Sequence, residues 1–469
     1  MTPASAVDQG GAPQRLPAQS MTETDRYRTE FEAFAAGRST PEPAWLREQR
    51  EEAIARFQDR GFPTVAEEEW RFTSVAPIAR TAFRRPAPGE GSGVRTADVA
   101  AFGFEGAFEG HQIVFVDGRL APGLSSITPE GGLQICSLAD VLSREPERLR
   151  SHLGRVVSDG ASSFADLNAA FFEDGAFVFI PPGLAVDKPI HLVFMSSRGT
   201  GPASTISHPR TVVVAGRGSQ VQIVESYAGV PGAAYLANAV TQIVLEDGAG
   251  LEHCTVQRES EAAFHVGFMA VVQGRASRFK SHSFALGGRL ARNDVRQLFA
   301  DEGGECELNG LFAVAGEQHS DTHTVIDHAH PHCTSRELYK GILDGKSRGV
   351  FVGRILVREG ARKTDAHQTN KNLLLSREAL VDSVPQLEIL ASDVKCKHGS
   401  TTGQLDSAAL FYLRSRGIPE AAARSLLVCA FASDVVGRVR IPAVKAGIER
   451  HLREQLPGLR DREIQEAVL

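Results

Sequence analysis

Along the chain the spacing of apolar residues changes period twice. In TDRYRTEFEAFAAG, Tyr27, Phe31 and Phe34 recur at i, i+4 and i+7 ahead of Gly37, which predicts an amphipathic helix. PAWLREQREEAIARFQDRG predicts a second, with Pro43 near its start, Trp45, Leu46, Ala53, Ile54 and Phe57 as its apolar positions and Gly61 at its stop. LADVLSREPERLRSHLG and SSFADLNAAFFEDG read as further helices. The pattern therefore predicts a mostly helical N-terminal region over residues 23–174. Ahead of it, residues 1–22 are polar, bear Pro, Gly and Ala, and contain no apolar run of a signal peptide; they read as a disordered tail.

Beyond residue 175 the helical spacing disappears. Short apolar or alternating segments follow one another, among them FVFI, IHLVFM, TVVVA, QVQIVES, TQIVLE, FMAVVQG, VFVGRILV and QLEILA, with turns bearing Gly, Asp and Asn between them. So many strands without helices leave a sandwich, a barrel or a β-solenoid. Few of the connections carry hairpin signals, EDGAG and LDGK being the main ones. Several strands are apolar throughout, as in parallel sheets buried on both faces, and strand pairs recur over roughly 20–30 residues. These features predict a right-handed parallel β-helix over residues 175–405. From 406 the period is helical again: SAALFYLRSRG ends on Gly417, Pro419 opens PEAAARSLLVCAFASDVV, and PAVKAGIERHLREQL follows. Leu426, Leu427, Ala430, Phe431 and Val435 form an apolar stripe, suited to a small bundle or to docking another protein. The expected fold is thus mainly β, a parallel β-helix core flanked by N-terminal and C-terminal α-helical domains, the latter over 406–469.

Composition narrows the function. Of 469 residues 42% are hydrophobic and 23% charged, the balance of a soluble globular protein. A net charge of −6 with no basic run argues against a nucleic-acid partner, and no apolar run of about 18 residues predicts a membrane span. Six cysteines are scattered without a CxxC pair, which suits reduced thiols in the cytoplasm better than a disulfide framework.

Three stretches carry candidate chemistry. GILDGKSRG resembles the end of a phosphate-binding loop, but Gly341 and Gly345 are too close and the flanks read as strand–turn–strand, so no ATP site is expected. HSDTHTVIDHAHPHC gathers His319, His323, His328, His330, His332 and Cys333; His328, His330 and Cys333 are candidate ligands for zinc or iron, or else members of a hydrogen-bonded histidine stack. In SDVKCKHGSTTGQLD, Cys396 and His398 are i and i+2, on one side of a strand, and supply two ligands, too few to close a tetrahedral site. Lys395 and Lys397 beside them are expected to favour the thiolate. The bland alternative is a small buried Cys396 and a His398 hydrogen-bonded at the sheet edge.

Several of these stretches resemble a known family. RKTDAHQTNKNLLLS (362–376), DSVPQLEILASDVKCKHGSTTGQLD (382–406) and ALFYLRSRGIPEAAARSLLV (409–428) are similar to the SufB/SufD family of iron–sulfur cluster assembly proteins. So are residues 320–357, LNAAFFEDGAFVFIPPG (167–183) and EEEWRFT (67–73), in the family's order. KCKHG followed by GQLD, with no glutamate after the histidine, is similar to the SufD type; His367 stands where glutamine is more usual in the family. The resemblance implies a non-catalytic scaffold subunit whose β-helix pairs with SufB. It implies docking of the ATPase SufC through the C-terminal helices, with Phe411, Tyr412, Leu413, Arg416, Leu426, Leu427 and Phe431 as contact residues. It also implies that His398, with Cys396 beside it, helps build a transient, nascent iron–sulfur cluster at the SufB interface, with reduced flavin on the complex as a further candidate cofactor. Two readings from other classes stand beside it: a β-helix polysaccharide-acting enzyme, and a histidine-rich zinc-binding protein centred on 319–333.

Overall fold

The computed structural model describes residues 23–38, 42–87, 93–102, 104, 108–128, 130–153, 162–199, 201 and 203–455. The expected tail, 1–22, and the end of the C-terminal region beyond 455 lie outside them.

Two ten-stranded sheets run side by side, and the chain alternates between them. Sheet I proceeds through Ile190–Ser196, Gln220–Gly229, Gly250–Arg258, Arg278–Ala285, Glu305–Val314, Thr334–Leu343 and Asp365–Leu374 to Lys395–Gly403. Sheet II proceeds through Gly175–Ile180, Arg210–Ala215, Tyr235–Leu245, Phe264–Gln273, Leu290–Phe299, His319–His328 and Arg348–Val357 to Leu380–Ile389. Within each sheet these strands pair in parallel, Gly250 beside Arg278, then Glu305, Thr334, Asp365 and Lys395, so one coil takes 27 to 31 residues. The result is a parallel β-solenoid, and among the described residues no helix interrupts it between Phe171 and Ser407.

Burial on two faces explains why the strands read as apolar throughout. Val221, Ile223, Leu308, Ile326, Tyr339 and Phe351 point into the lumen between the sheets. Outside sheet II, Trp45, Leu46 and Leu138 of the N-terminal helices cover Phe177, Val212 and Val214. Outside sheet I, Val428, Ala432, Val435, Val444 and Ile448 cover Val224, Cys254, Phe284 and Leu311. The C-terminal helices Glu420–Val436 and Pro442–Gln455 thus lie on the solenoid rather than forming a bundle of their own.

Each coil closes one corner with a residue at positive φ, and these residues stack: Gly218, Gly248, Ala276, Gly303, His332, Lys363 and Asp393, with φ between 49° and 73°. Successive corners are tied by backbone bonds such as Gly248 N–H to the Arg275 carbonyl and His332 N–H to the Arg362 carbonyl. Glycine takes this conformation without strain, and the non-glycine members are held in it by the stack.

The region expected to be mostly helical also contributes strands. His111–Val116 extends sheet I in parallel from Ile190–Ser196, and Gln134–Ser137 pairs antiparallel with Gly175–Ile180 in sheet II. Asp117 and Gly118, at φ 52° and 79°, turn the chain back onto Arg119–Leu120.

The EEEWRFT stretch is a clamp on the outside of sheet II. Trp70 is buried, and the Arg292 guanidinium lies 3.7 Å from its ring centroid. Arg292 donates to the Glu69 carbonyl at 2.8 Å, to Asp321 Oδ2 at 2.7 Å and to Asp294 Oδ1 at 2.9 Å. Thr73 Oγ1 donates to the same Asp321 oxygen at 2.6 Å.

Candidate functional site

The solenoid ends open. Among the described residues, Leu380–Ile389 and Lys395–Gly403 each have a neighbouring strand on one side alone, leaving a row of backbone donors and acceptors on the other. Burial falls accordingly: the Leu380–Ile389 strand has no buried residue, and the last strand is exposed at every position except Cys396. Leu380, Ile389 and Leu390 are 61%, 41% and 60% exposed at this end, large apolar side chains presented to solvent. Pro385 removes one N–H from the edge of sheet II, which interrupts any continuous pairing there.

The pleat decides which side chains face the lumen at this mouth. Cys396 packs against Ile355, Val357, Ala361 and Ala366, and Ser400 Oγ meets Ser383 Oγ of the opposite sheet at 2.8 Å. His398 lies between these two inward positions, so it belongs to the lumen side, yet the coil that would cover it is missing and it is exposed. Cys396 and His398 therefore form a half-lined rim rather than a closed site. The same pleat turns Lys395 and Lys397 to the outer face, which corrects the expectation of a thiolate: burial pushes the Cys396 thiol up, a backbone hydrogen bond at Ala366 only partly opposes this, and Asp365 adds to it. A metal ion taken here must displace the thiol proton.

Below the rim the lumen is polar. Gln368 is the register partner of His398 one coil down, and its Nε2 donates to Glu337 Oε2 at 2.7 Å. Asn370 donates to the Tyr339 carbonyl at 3.2 Å and accepts from Ser383 at 2.8 Å and from Asn372 at 2.6 Å. Burial pushes the Glu337 carboxyl up to about 7, against the partial opposition of hydrogen bonds from Thr324 and Gln368. A carboxyl raised in the fold contributes stability below the unfolded value near 4, and this is lost as pH climbs through about 7. From pH 5 to pH 8 the protein is expected to lose on the order of 2 kcal/mol relative to Glu337→Gln, read from urea midpoints of both at the two pH values. A difference that does not change with pH would contradict this.

The other candidate ligands do not converge. His328 is buried, shares a hydrogen bond of 3.0 Å with Ser335 Oγ and lies tilted against the Phe299 ring. Cys333 is buried, its Sγ 3.5 Å from the carbonyls of Asp301 and Pro331. His330 is exposed beside the corner, where His332 takes its place in the positive-φ stack. His319 and His323 belong to the Asp321 clamp, at 2.9 Å from Thr73 Oγ1 and 3.1 Å from Asp321 Oδ1. Among the described residues no group of three or more His, Cys, Asp and Glu is placed to hold a metal ion. Of the histidines in 319–333, His319, His323 and His328 are held by partners within the fold. All six cysteines are free.

The candidate docking residues divide. Helix Ser407–Ser415, capped by Asp406 accepting from Ala408 N–H at 2.8 Å, buries none of its residues; Phe411 and Tyr412 are 72% and 56% exposed. Leu413 is half-buried, and Arg416 is exposed with its guanidinium 5.1 Å from the Tyr412 ring centroid. Phe431, in contrast, faces the solenoid: Lys340 Nζ sits 4.3 Å from its ring centroid and donates to its carbonyl at 2.8 Å. Leu426 and Leu427 are half-buried. Sequence reasoning passed over Gln368, Glu337, Asn370 and Ser383; part of the signal was AHQTNKN, whose buried positions Gln368, Asn370 and Asn372 are polar.

The family described as SUF system FeS cluster assembly, SufBD core domain, matches residues 196–431, and the SufBD protein N-terminal region matches residues 21–192. An iron–sulfur cluster assembly SufBD family protein of Synechocystis is 34% identical over 83% of this chain and 86% of its own length. The iron–sulfur cluster assembly protein SufD of Escherichia coli is 29% identical over 87% of this chain and 93% of its own. The chloroplastic protein ABCI7 of Arabidopsis thaliana is 31% identical over 66% of each.

Proposed function

Because the chain belongs to the SufBD family of iron–sulfur cluster assembly proteins, we propose that it is a SufD-type scaffold subunit that helps form a nascent cluster at its open solenoid end. The observation that carries this reading is the rim: an exposed imidazole and a half-buried thiol at the uncovered last coil, with no third ligand beside them among the described residues. A homologous SufB solenoid set against this end would cover the bare edges and the exposed Leu380, Ile389 and Leu390, and would bring the missing ligands. Its coil is right-handed by the rule for parallel crossovers. A cluster held by few and mixed ligands across a subunit boundary is released more readily than one caged by four thiolates.

The chain itself performs no catalysis in this reading; the energy comes from a SufC-type ATPase. Helix Ser407–Ser415 is the docking element, since none of its residues is fully buried and Phe411 and Tyr412 stand exposed. Co-expression with the homologous subunit and the ATPase is expected to give one complex containing all three. Phe411→Ala with Tyr412→Ala is expected to remove the ATPase from that complex, by tenfold or more in retained amount, and to keep the homologous subunit. Both aromatics are exposed anchors of the kind that dominate interface energies. A chain that elutes alone would contradict the reading, and full ATPase retention by the double variant would contradict the docking assignment. Family membership leaves the polysaccharide-acting alternative without support.

A further inference from the structure

We propose that Gln368 and Glu337 are positioning residues for His398: Gln368 Oε1 accepts a ring N–H of His398 and so directs the other ring nitrogen at the metal. The inference rests on the reading of His398 as a metal-binding side chain. Three observations carry it. Gln368 is the direct register partner of His398, on the same lumen side, and is 2% exposed. Its amide crosses the lumen over Gly353 of the opposite sheet, where a Cβ would stand 2.0 Å from Nε2, so the glycine is what makes room for it. Its Nε2 is committed to Glu337 Oε2 at 2.7 Å, which fixes the amide's orientation, while Oε1 is buried without a hydrogen-bond partner among the described residues.

A buried amide oxygen left unpaired costs free energy until a donor arrives. Among the side chains of the coil above, the donor in register is the His398 ring. A histidine that binds metal through one nitrogen commonly donates its other N–H to such an acceptor, which fixes tautomer and ring orientation. Glu337 acts one step further back, by preventing the amide from turning its NH2 toward the ring.

The test is an anaerobic Co(II) titration of the full chain in complex with its homologous subunit, following the thiolate-to-cobalt absorption. Gln368→Met, close in shape but without an acceptor, is expected to weaken cobalt binding by about 10- to 100-fold. Gly353→Ala, which leaves Gln368 in place but displaces its amide, is expected to weaken binding in the same direction. Glu337→Gln keeps an oxygen to hold the amide and is expected to bind as wild type, whereas Glu337→Leu is expected to lose affinity. Adding Gln368→Met to His398→Ala is expected to cost nothing more, a coupling that a merely structural role would not produce. Urea midpoints and co-purification with the partner serve as controls for folding. If Gln368→Met and Gly353→Ala bind cobalt like wild type while His398→Ala does not, the inference is wrong and the reading of the rim stands. If His398→Ala itself binds cobalt like wild type, both fall.

Discussion

His398→Ala in the assembled complex is expected to lower cluster formation at least tenfold, with folding and subunit assembly unchanged. The side chain is exposed on the last coil, so its removal leaves no cavity. What it removes is half of the coordination this chain offers. Cys396→Ala is expected to have the smaller effect. Its thiol is pushed up by burial and packs against Ile355 and Val357, so it offers metal less readily than a solvent-facing imidazole. Anaerobic reconstitution with iron and sulfide, followed by visible absorption, measures both. Full cluster yield from His398→Ala would remove the residue from the role.

Arg292→Leu is expected to destabilise the chain by about 3–5 kcal/mol, because it leaves buried Asp321 uncompensated and strips the cation from the Trp70 face. Burial alone would raise the Asp321 carboxyl, but Arg292, with His323 and Thr73 behind it, holds it well below the usual carboxylate range. The sign follows from that direction. A carboxyl depressed in the fold contributes stability above its unfolded value near 4, and this is lost as pH falls through the lower folded value. The wild type is therefore expected to lose stability below about pH 4 by this route, and Asp321→Asn, already weakened, to lose less on acidification. Urea midpoints at pH 7 and pH 3.5 report both effects. A change under 1 kcal/mol for Arg292→Leu at pH 7 would show that the clamp holds nothing.

Much of the architecture could be read from the chain because burial on both faces writes itself plainly. Strands such as Arg210–Ala215 and Ile190–Ser196 are mostly apolar and buried at every position, as a parallel coil under helices requires. The helices that frame the solenoid were legible from their caps and apolar spacing, Pro43 to Gly61 and Pro419 onward. Less visible were the strands inside the N-terminal region. IVFV beside Asp117-Gly118 is a hairpin signal, yet it sits between helical patterns that outweighed it. The stripe of helix Glu420–Val436 was legible as apolar but not as to what it covers. Val428 and Ala432 pack on sheet I, so the surface left free lies on the preceding helix at Phe411 and Tyr412.

At the rim, the i, i+2 spacing of Cys396 and His398 was enough to place them on one side of a strand. It could not show that this side is the mouth of a lumen, because that depends on the solenoid ending with this very strand. The flanking lysines misled for a related reason. Neighbours in sequence sit on opposite faces of a strand, and the thiol responds to the apolar wall it packs against. The polar file beneath, Gln368 over Glu337, lies in a stretch that is polar at successive positions, as on an exposed strand, and only its burial distinguishes it.

The central claim is that an iron–sulfur cluster forms with His398 of this chain as a ligand beside ligands of a second subunit. The most direct measurement is nitrogen hyperfine spectroscopy on the reduced cluster of the complex, with nitrogen-15 histidine introduced into this subunit alone. The account predicts a directly bound nitrogen-15 coupling in the wild type that vanishes in His398→Ala; a fully loaded wild-type cluster without that coupling would contradict it.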